Sequence, residues 1–250
     1  MGAGLIVYNN TGNLVIDGSY RNLAVVQQAQ LNLENGQQPP TGWGNYRFFS
    51  ITYSGGQTPI VAVRPDAVFY RDAQQFPYNY VRARVQDLGG GNFRIDFSGR
   101  GPFTYWIYDT PQTPTENAGL AVWNGQGQLV FHSGYKYLRV VDYAVLNPGA
   151  TVFDPDVSTQ AYYQRAIPAG RSYAIAQNKS VVSVDIDDDL GTGMAAIAWS
   201  ETVVVLTTSG NLDLVMLPAD YSGYIYPAGA LIYSAAQTAG AALCIDVTAF

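Results

Sequence analysis

In the stretch VDIDDDLGTG, four carboxylates fall within five positions: Asp185, Asp187, Asp188 and Asp189. Carboxylates at the first, third and fifth positions are typical of a calcium loop, because Ca²⁺ prefers oxygen ligands. An EF-hand loop also needs Gly at its sixth position and Glu at its twelfth, where this chain has Leu190 and Ala196. An EF-hand is therefore excluded. Two interpretations stay open for the four aspartates: a less regular Ca²⁺ or Mg²⁺ site, and a strand that ends in a solvated acidic turn.

The residues needed for a catalyst are sparse. His132 is the only histidine, and the chain has no G-x-S-x-G motif. Its one cysteine, Cys244, lies in the apolar run AALCIDV, which is typical of a buried, inert thiol. The stretch GTGMAA matches G-x-G-x-x-A, but strand-like sequence follows it where a dinucleotide-binding fold needs a helix. We therefore expect no enzymatic activity and no organic cofactor, with His132 at the surface or at the end of a strand.

Aromatic residues are the most abundant candidates for binding. The chain has 19 Tyr, 10 Phe and 4 Trp, many of them in the stretches GWGNYRFF, FPYNYV, YWIY and YSGYIYP. Such residues form protein interfaces and sugar-binding platforms, although a β-sandwich core can also bury many of them. The candidates for exposed interface or glycan-binding residues are Trp43, Tyr78, Tyr80, Trp106, Tyr224 and Tyr226.

Charge disfavours several classes of partner. Residues 1–114 carry eight basic and seven acidic residues, a net charge of +1, whereas residues 115–250 carry five basic and twelve acidic residues, a net charge of −7. An acidic half is a poor partner for nucleic acid, because phosphate contacts need Lys and Arg. No apolar run is long enough to span a bilayer, and the N-terminus does not resemble a signal peptide. We expect synthesis in the cytoplasm and no membrane insertion.

A repeat indicates how the chain is organised. GLIVYNNTGNLVIDGSYRNLAVV at 4–26 returns 115 positions later as GLAVWNGQGQLVFHSGYKYLRVV at 119–141, with eleven of 23 positions identical. Alternating apolar residues on both sides of a Gly/Asn turn predict a β-hairpin in each copy. Asn9 and Gly12 recur as Asn124 and Gly127, which we interpret as turn residues that contact no ligand.

The rest of the chain indicates that the repeat is as long as a domain. GNFRIDF at 91–97 is similar to GNLDLVM at 210–216, and we also pair YRFFSI at 46–51 with GRSYAI at 170–175, and YWIY at 105–108 with YIYP at 224–227. Strands separated by turns every ten residues or so are the pattern of a sandwich. The sequence predicts an all-β protein with little helix. Two tandem antiparallel β-sandwich-like domains would arise by duplication, at 1–110 and 119–250, joined by a linker at 111–118.

The hairpin motif resembles the N-terminal signature of small β-rich proteins encoded among the tail-tip and fibre genes of long-tailed bacteriophages and prophages. Their hairpin reads G-L-x-V-x-N-x-x-G-x-L-x-x-D and is followed by L-R-V-V. Asp17 supplies the acid in the first copy, and 138–141 supply LRVV in the second. The departures are His132 in place of the acid and LAVV at 23–26. The resemblance covers 23 residues in each copy and implies a virion structural protein with no enzymatic role.

Three functions are compatible with these observations. The first is a structural tail protein, near the tail tip or baseplate, that is oligomeric in the particle and has other tail proteins as partners. The second is a fibre module that recognises a receptor or glycan on the host surface. The third is a glycan hydrolase, for which sixteen Asp and three Glu offer no pair that stands out.

Overall fold

The computed structural model describes residues 6–8, 14–17, 22–38, 46–71, 77–111, 118–146, 161–179, 182–187, 194–220, 226–227 and 240–248. Most of these residues lie in β-strands, and no α-helix occurs among them. The one helical element in this part of the chain is a single 3-10 turn at Leu33–Asn35, which the Asn32 side chain caps by accepting a 3.0 Å hydrogen bond from the Glu34 N–H. The all-β prediction is confirmed.

The strands described in the first half are β1 (Ile6–Tyr8), β2 (Leu14–Asp17), β3 (Ala24–Asn32), β4 (Arg47–Ser54), β5 (Ile60–Pro65), β6 (Tyr70–Arg71), β7 (Pro77–Tyr78), β8 (Tyr80–Gly89), β9 (Asn92–Arg100) and β10 (Pro102–Asp109). Those described in the second half are β11 (Ala121–Trp123), β12 (Leu129–His132), β13 (Val140–Leu146), β14 (Ala161–Ala166), β15 (Tyr173–Lys179), β16 (Val182–Asp187), β17 (Met194–Leu206), β18 (Asn211–Asp220), β19 (Tyr226–Pro227) and β20 (Gly240–Asp246). The pairs β1–β2 and β11–β12 are the two copies of the hairpin in the sequence repeat.

Two large antiparallel sheets each contain strands from both halves. The first sheet has the order β13-β20-β15-β5-β10-β3, and the second has the order β14-β18-β17-β8-β9-β4, with β16 and β19 also paired to β17. In the first sheet the halves meet where Val63 of β5 pairs with Ile175 of β15. In the second sheet they meet where Val81 of β8 pairs with Val204 of β17. Each sheet is therefore continuous across the middle of the chain.

The strand order repeats from one half to the other. Outward from the junction, β5, β10 and β3 in the first sheet match β15, β20 and β13, while β8, β9 and β4 in the second sheet match β17, β18 and β14. A β-bulge leaves Val26 unpaired on β3 and Val141 unpaired on β13, 115 positions apart as in the sequence repeat. These correspondences agree with the duplication hypothesis. The division into two domains stays a prediction, because both halves share each sheet.

The main core lies between the two sheets. On β9, Phe93, Ile95 and Phe97 are buried while their neighbours are more exposed, as expected for a strand with one face on a core. The Phe97 ring lies 4.9 Å, centroid to centroid, from both Phe103 and Tyr105 of β10 in the facing sheet. The structure is therefore a β-sandwich closed by aromatic contacts between its layers.

The opposite face of the first sheet is covered over its middle strands. Trp106, Tyr108 and Ile245 are buried there, and Leu23 and Leu138, from the segments that precede β3 and β13, are partly buried against them. Those segments meet through backbone hydrogen bonds of 2.8 Å, from the Leu138 N–H to the Leu23 carbonyl and from the Val25 N–H to the Lys136 carbonyl. Residues next to the repeated hairpins therefore cover part of the outer face of the sheet.

Candidate functional site

A pair of tyrosines forms an aromatic surface at the short pairing of β6 with β7. Tyr70 lies opposite Tyr78, and their rings stack at a centroid distance of 5.1 Å and an interplanar angle of 6°. Tyr70 is 50% exposed, so part of the stack is accessible to solvent. We call Tyr70 and Tyr78 the aromatic platform. A flat, rigid aromatic face of this kind can stack on a sugar ring or on a partner's side chain.

Arg100 supports the platform from β9. Its guanidinium carbon lies 4.1 Å from the centroid of the Tyr78 ring, within the range of a cation–π contact. The same guanidinium donates two hydrogen bonds to the Glu34 carboxylate, at 2.6 and 2.9 Å. These hydrogen bonds outweigh partial burial and hold the pKa of Glu34 below its usual value. The platform is therefore tied to the 3-10 turn by a bidentate ion pair.

Asn79 determines which way the neighbouring tyrosines point. It has φ of 58°, a left-handed conformation that is uncommon for residues other than Gly, and its side chain donates a 2.6 Å hydrogen bond to the Val68 carbonyl. In a regular strand Tyr78 and Tyr80 would lie on the same face. The left-handed residue between them breaks that alternation, so that Tyr78 remains at the surface and Tyr80 is buried, at 7% exposure, against Val203.

Two of the predicted exposed aromatics are corrected by this structure. Tyr80 is buried for the reason just given. Trp106 is only 4% exposed, because β10 lies between β3 and β5 and its outer face is covered. Tyr226 lies in β19, where the backbone alone is described, and Trp43 and Tyr224 fall outside the described residues. Of the six candidates, Tyr78 is the one that the structure shows as part of an exposed aromatic surface.

The predicted turn in the second copy of the hairpin has clear geometry. The Asn124 side-chain oxygen accepts hydrogen bonds from the N–H groups of Gln126 and Gln128, at 3.0 and 2.9 Å. Gly127 has φ of 73°, and a Cβ at this position would meet no atom within 4 Å. Asn124 and Gly127 therefore hold a tight turn. Asn9 and Gly12, their counterparts in the first copy, lie outside the described residues.

The acidic cluster is described only in part. Asp185 and Asp187 lie in β16, which pairs with β17, while Asp188 and Asp189 fall outside the described residues. Their carboxylates are not among the described side chains, so the cation site stays a prediction. In the part of the chain that the structure describes, no three His, Cys, Asp or Glu side chains come together as a metal site.

His132 lies at the end of β12, as expected, but it is not at the surface. It is 3% exposed, and its Nδ1 accepts a 3.1 Å hydrogen bond from the Gly134 N–H. The Tyr137 hydroxyl bonds to both the N–H and the carbonyl of His132, at 2.5 and 3.1 Å. His132 thus stabilises the turn after β12, and the burial and hydrogen bonds of its ring indicate a structural role.

A second exposed feature was missed by the sequence analysis. On β13, Val140, Tyr143 and Val145 are 46%, 57% and 58% exposed and face away from the second sheet. We call these three residues the edge stripe, because β13 is the last strand of the first sheet. The apolar run VVDYAVL was visible in the sequence, but its position at an edge follows only from the sheet order.

No helix among the described residues is long and apolar enough to cross a membrane. No protein-family model, curated protein or solved structure matches this chain.

Proposed function

We propose that this chain is a structural component of a bacteriophage or prophage tail, near the tail tip or baseplate, that acts by assembly with other tail proteins and has no enzymatic role. It would be made in the host cytoplasm and reside in the virion. The observation that carries the proposal is the edge stripe. Exposed apolar residues at a sheet edge are typical of a surface that meets another protein, and β13 has three of them beside its one charge, Asp142, and its bulge at Val141.

Two other observations support an assembly role. The repeated hairpin resembles the signature of tail-tip and fibre-associated proteins. The aromatic platform and the edge stripe lie in different halves of the chain, so that one molecule offers two surfaces to its neighbours. A tail component must contact several subunits, and separate contact surfaces suit that requirement.

The test is mass spectrometry of purified particles from the strain that encodes this chain, followed by deletion of its gene. The protein should be present in the particle in stoichiometric amount, and tails should be defective or missing in the deletion strain. Absence from the particle together with normal tails would refute the proposal. A second strain, complemented with the gene in trans, controls for effects of the deletion on neighbouring genes.

The aromatic platform favours a second function, recognition of a glycan or receptor on the host surface. The half-exposed Tyr70 can contact a sugar ring while Arg100 and Glu34 hold Tyr78 against it. Tyr70→Ala should then abolish retention of the protein on host envelopes. Trp123→Ala, at a similarly exposed aromatic residue in the other half, is the matched control. Intact tails with lost adsorption in the deletion strain would favour this second function over the first.

A further inference from the structure

The two edge strands of the first sheet, β3 and β13, carry different side chains at corresponding positions. β3 ends the sheet on one side and β13 ends it on the other, and the two strands occupy corresponding places in the two halves. Gln28 on β3 pairs with Trp106, and the corresponding Tyr143 on β13 pairs with Leu243. Gln30 pairs with Thr104, and the corresponding Val145 pairs with Ala241.

The β3 edge is finished with polar contacts. The Gln30 amide donates a 2.8 Å hydrogen bond to the Asp66 carboxylate, which also accepts a 2.7 Å hydrogen bond from the Thr104 hydroxyl. The corresponding face of β13 has a tyrosine and a valine, both more than half exposed. The polar side chains of the β3 edge are stable in contact with water. The β13 edge exposes apolar side chains, and their burial against a partner would be favourable.

The β13 edge is also open for strand pairing. No described strand lies beyond it, and its seven residues contain no Pro, no Lys and one charged residue, Asp142. The Asp142 carboxylate lies 3.4 Å from the Arg165 guanidinium, so this charge is already compensated. The bulge at Val141 interrupts this edge near its start, so 142–146 is the part that offers regular backbone for pairing with a second strand.

We propose that the partner at this edge is a second copy of the same chain, with two β13 strands paired antiparallel about a twofold axis at Tyr143. In that arrangement the two Tyr143 side chains are neighbours across the strands, and Asp142 of each copy lies opposite Ala144 of the other. No carboxylate then faces a carboxylate, and Val145 of each copy lies opposite Val141 of the other, so that apolar residues face each other. A twofold contact uses the same patch on both partners, and a self-complementary patch is what it requires.

Pairing of β13 with the β3 edge of the next copy is the competing arrangement. It would bring the half of charge −7 next to the half of charge +1, which long-range electrostatics favour. It would also place apolar residues against the glutamines of β3. At physiological salt, charges more than about 8 Å apart are largely screened, while apolar burial is not weakened. The match of the stripes therefore decides in favour of the twofold contact.

The contact should be weak in the isolated protein. One seven-residue strand edge buries less than the roughly 800 Å² per partner of a stable complex. We expect a dimer that dissociates in the micromolar range and strengthens with salt, because salt screens the repulsion between the two acidic halves. This inference rests on the assembly role proposed above, because the high local concentration of the chain in a particle would favour the dimer.

Sedimentation velocity on the purified full chain tests the inference, from about 1 to about 200 μM at about 0.15 M and 0.5 M NaCl. The wild type should form a dimer that is stronger at the higher salt. Tyr143→Lys should weaken the dimer at least about tenfold, since a charge at the centre of the edge blocks pairing. Gln28→Lys, at the corresponding exposed position of β3, is the matched control and should leave the dimer unchanged.

Three outcomes would overturn the inference. The first is a wild type that stays monomeric over the whole range at both salt concentrations. The second is a dimer that Tyr143→Lys does not weaken although circular dichroism shows the variant to be folded. The third is a dimer that Gln28→Lys weakens as much, which would assign the contact to β3. Particle mass spectrometry remains independent, because a chain absent from particles could still dimerise through β13.

Discussion

Arg82 and Glu201 form an ion pair across the junction of the two halves, and they occupy corresponding positions in those halves. Arg82 lies opposite Ser98 in the β8–β9 pair, and Glu201 lies opposite Leu217 in the β17–β18 pair, with a spacing of 119 positions in both cases. If the halves were identical, this contact would join two like charges. If the halves arose by duplication, later divergence would account for a basic residue at one position and an acidic residue at the other.

This relationship predicts a charge-swap experiment. Both side chains are about three quarters or more buried, so reversal of one charge should lower the free energy of unfolding by about 1–3 kcal/mol. Arg82→Glu and Glu201→Arg should each destabilise the protein, and the double variant should recover most of the loss in urea denaturation. Arg94→Glu removes a more exposed pair with Asp96 and should change stability by less than about 1 kcal/mol. Additive losses in the double variant would contradict the pairing.

Gly101 and Gly127 both have positive φ but lie in different surroundings, so the same substitution should have unequal effects at the two positions. Gly101 has φ of 87°, and a Cβ there would lie 2.3 Å from the Asn79 side-chain oxygen. Gly127 has a similar φ of 73° but open space around it. Gly127→Ala should therefore cost about 1 kcal/mol from backbone strain alone, and Gly101→Ala about 2–4 kcal/mol. Equal losses in thermal or urea unfolding would show that Asn79 can move aside.

Asp246 predicts a loss of stability in acid. Its side chain is 2% exposed and accepts hydrogen bonds from the Thr248 N–H at 3.0 Å and from Arg171 at 2.7 Å. Burial raises the pKa of Asp246, but the Thr248 contacts and the charges of Arg139 and Arg171 lower it by more, so that its pKa is below the ordinary value. The charged form therefore stabilises the fold above the unfolded pKa of about 3.9, and this contribution is lost as pH falls through the lower folded pKa.

Asp246→Asn should accordingly be less stable than the wild type at pH 7, by about 1–3 kcal/mol, and the difference should shrink below about pH 4. Urea unfolding at a series of pH values from 7 to about 2.5 measures it. A difference that stays constant over the whole series would indicate that Asp246 acts through its shape and hydrogen bonds and not through its charge.

Buried tyrosines predict a second loss of stability, in alkali. Burial, helped by the Asp109 carboxylate, raises the pKa of Tyr53 to about 12, and burial also raises the pKa of Tyr105 and Tyr137. Since folding raises these values above the unfolded pKa of about 10, the stabilisation is complete below pH 10 and is lost as pH rises through the folded values. Absorbance at 295 nm should show several of the 19 Tyr ionising only when circular dichroism reports unfolding. Ionisation of all of them in the folded protein near pH 10 would contradict this.

The sequence predicted the fold class and the local structure better than the burial of single side chains. Alternation and turn residues are local signals, and they located the hairpin strands and the turn held by Asn124 and Gly127. The prediction that Tyr80 and Trp106 are exposed was wrong. Their burial depends on the left-handed conformation of Asn79 and on which strands flank β10. Neither feature can be predicted from the composition of the neighbouring sequence.

Weak sequence similarities were also unreliable guides to correspondence. The similarity between 91–97 and 210–216, which lie 119 positions apart, is reproduced by the strand order, in which β9 matches β18. The similarity of 46–51 to 170–175 is not, because β4 matches β14 and not β15. Likewise β10 matches β20, whereas 224–227 leads to β19. The contact of Glu34 with Arg100, 66 positions apart, has no local signal at all.

The continuity of the two sheets has a consequence during synthesis of the chain. Once the first half has left the ribosome, β5 and β8 are complete, but their partners β15 and β17 have not yet been made. Val63 and Val81 then lie on unpaired inner edges until the second half arrives, and such edges invite pairing with other nascent chains. Pairings between residues so far apart in sequence also form slowly. Translation speed and chaperone supply should therefore affect the yield of the folded protein.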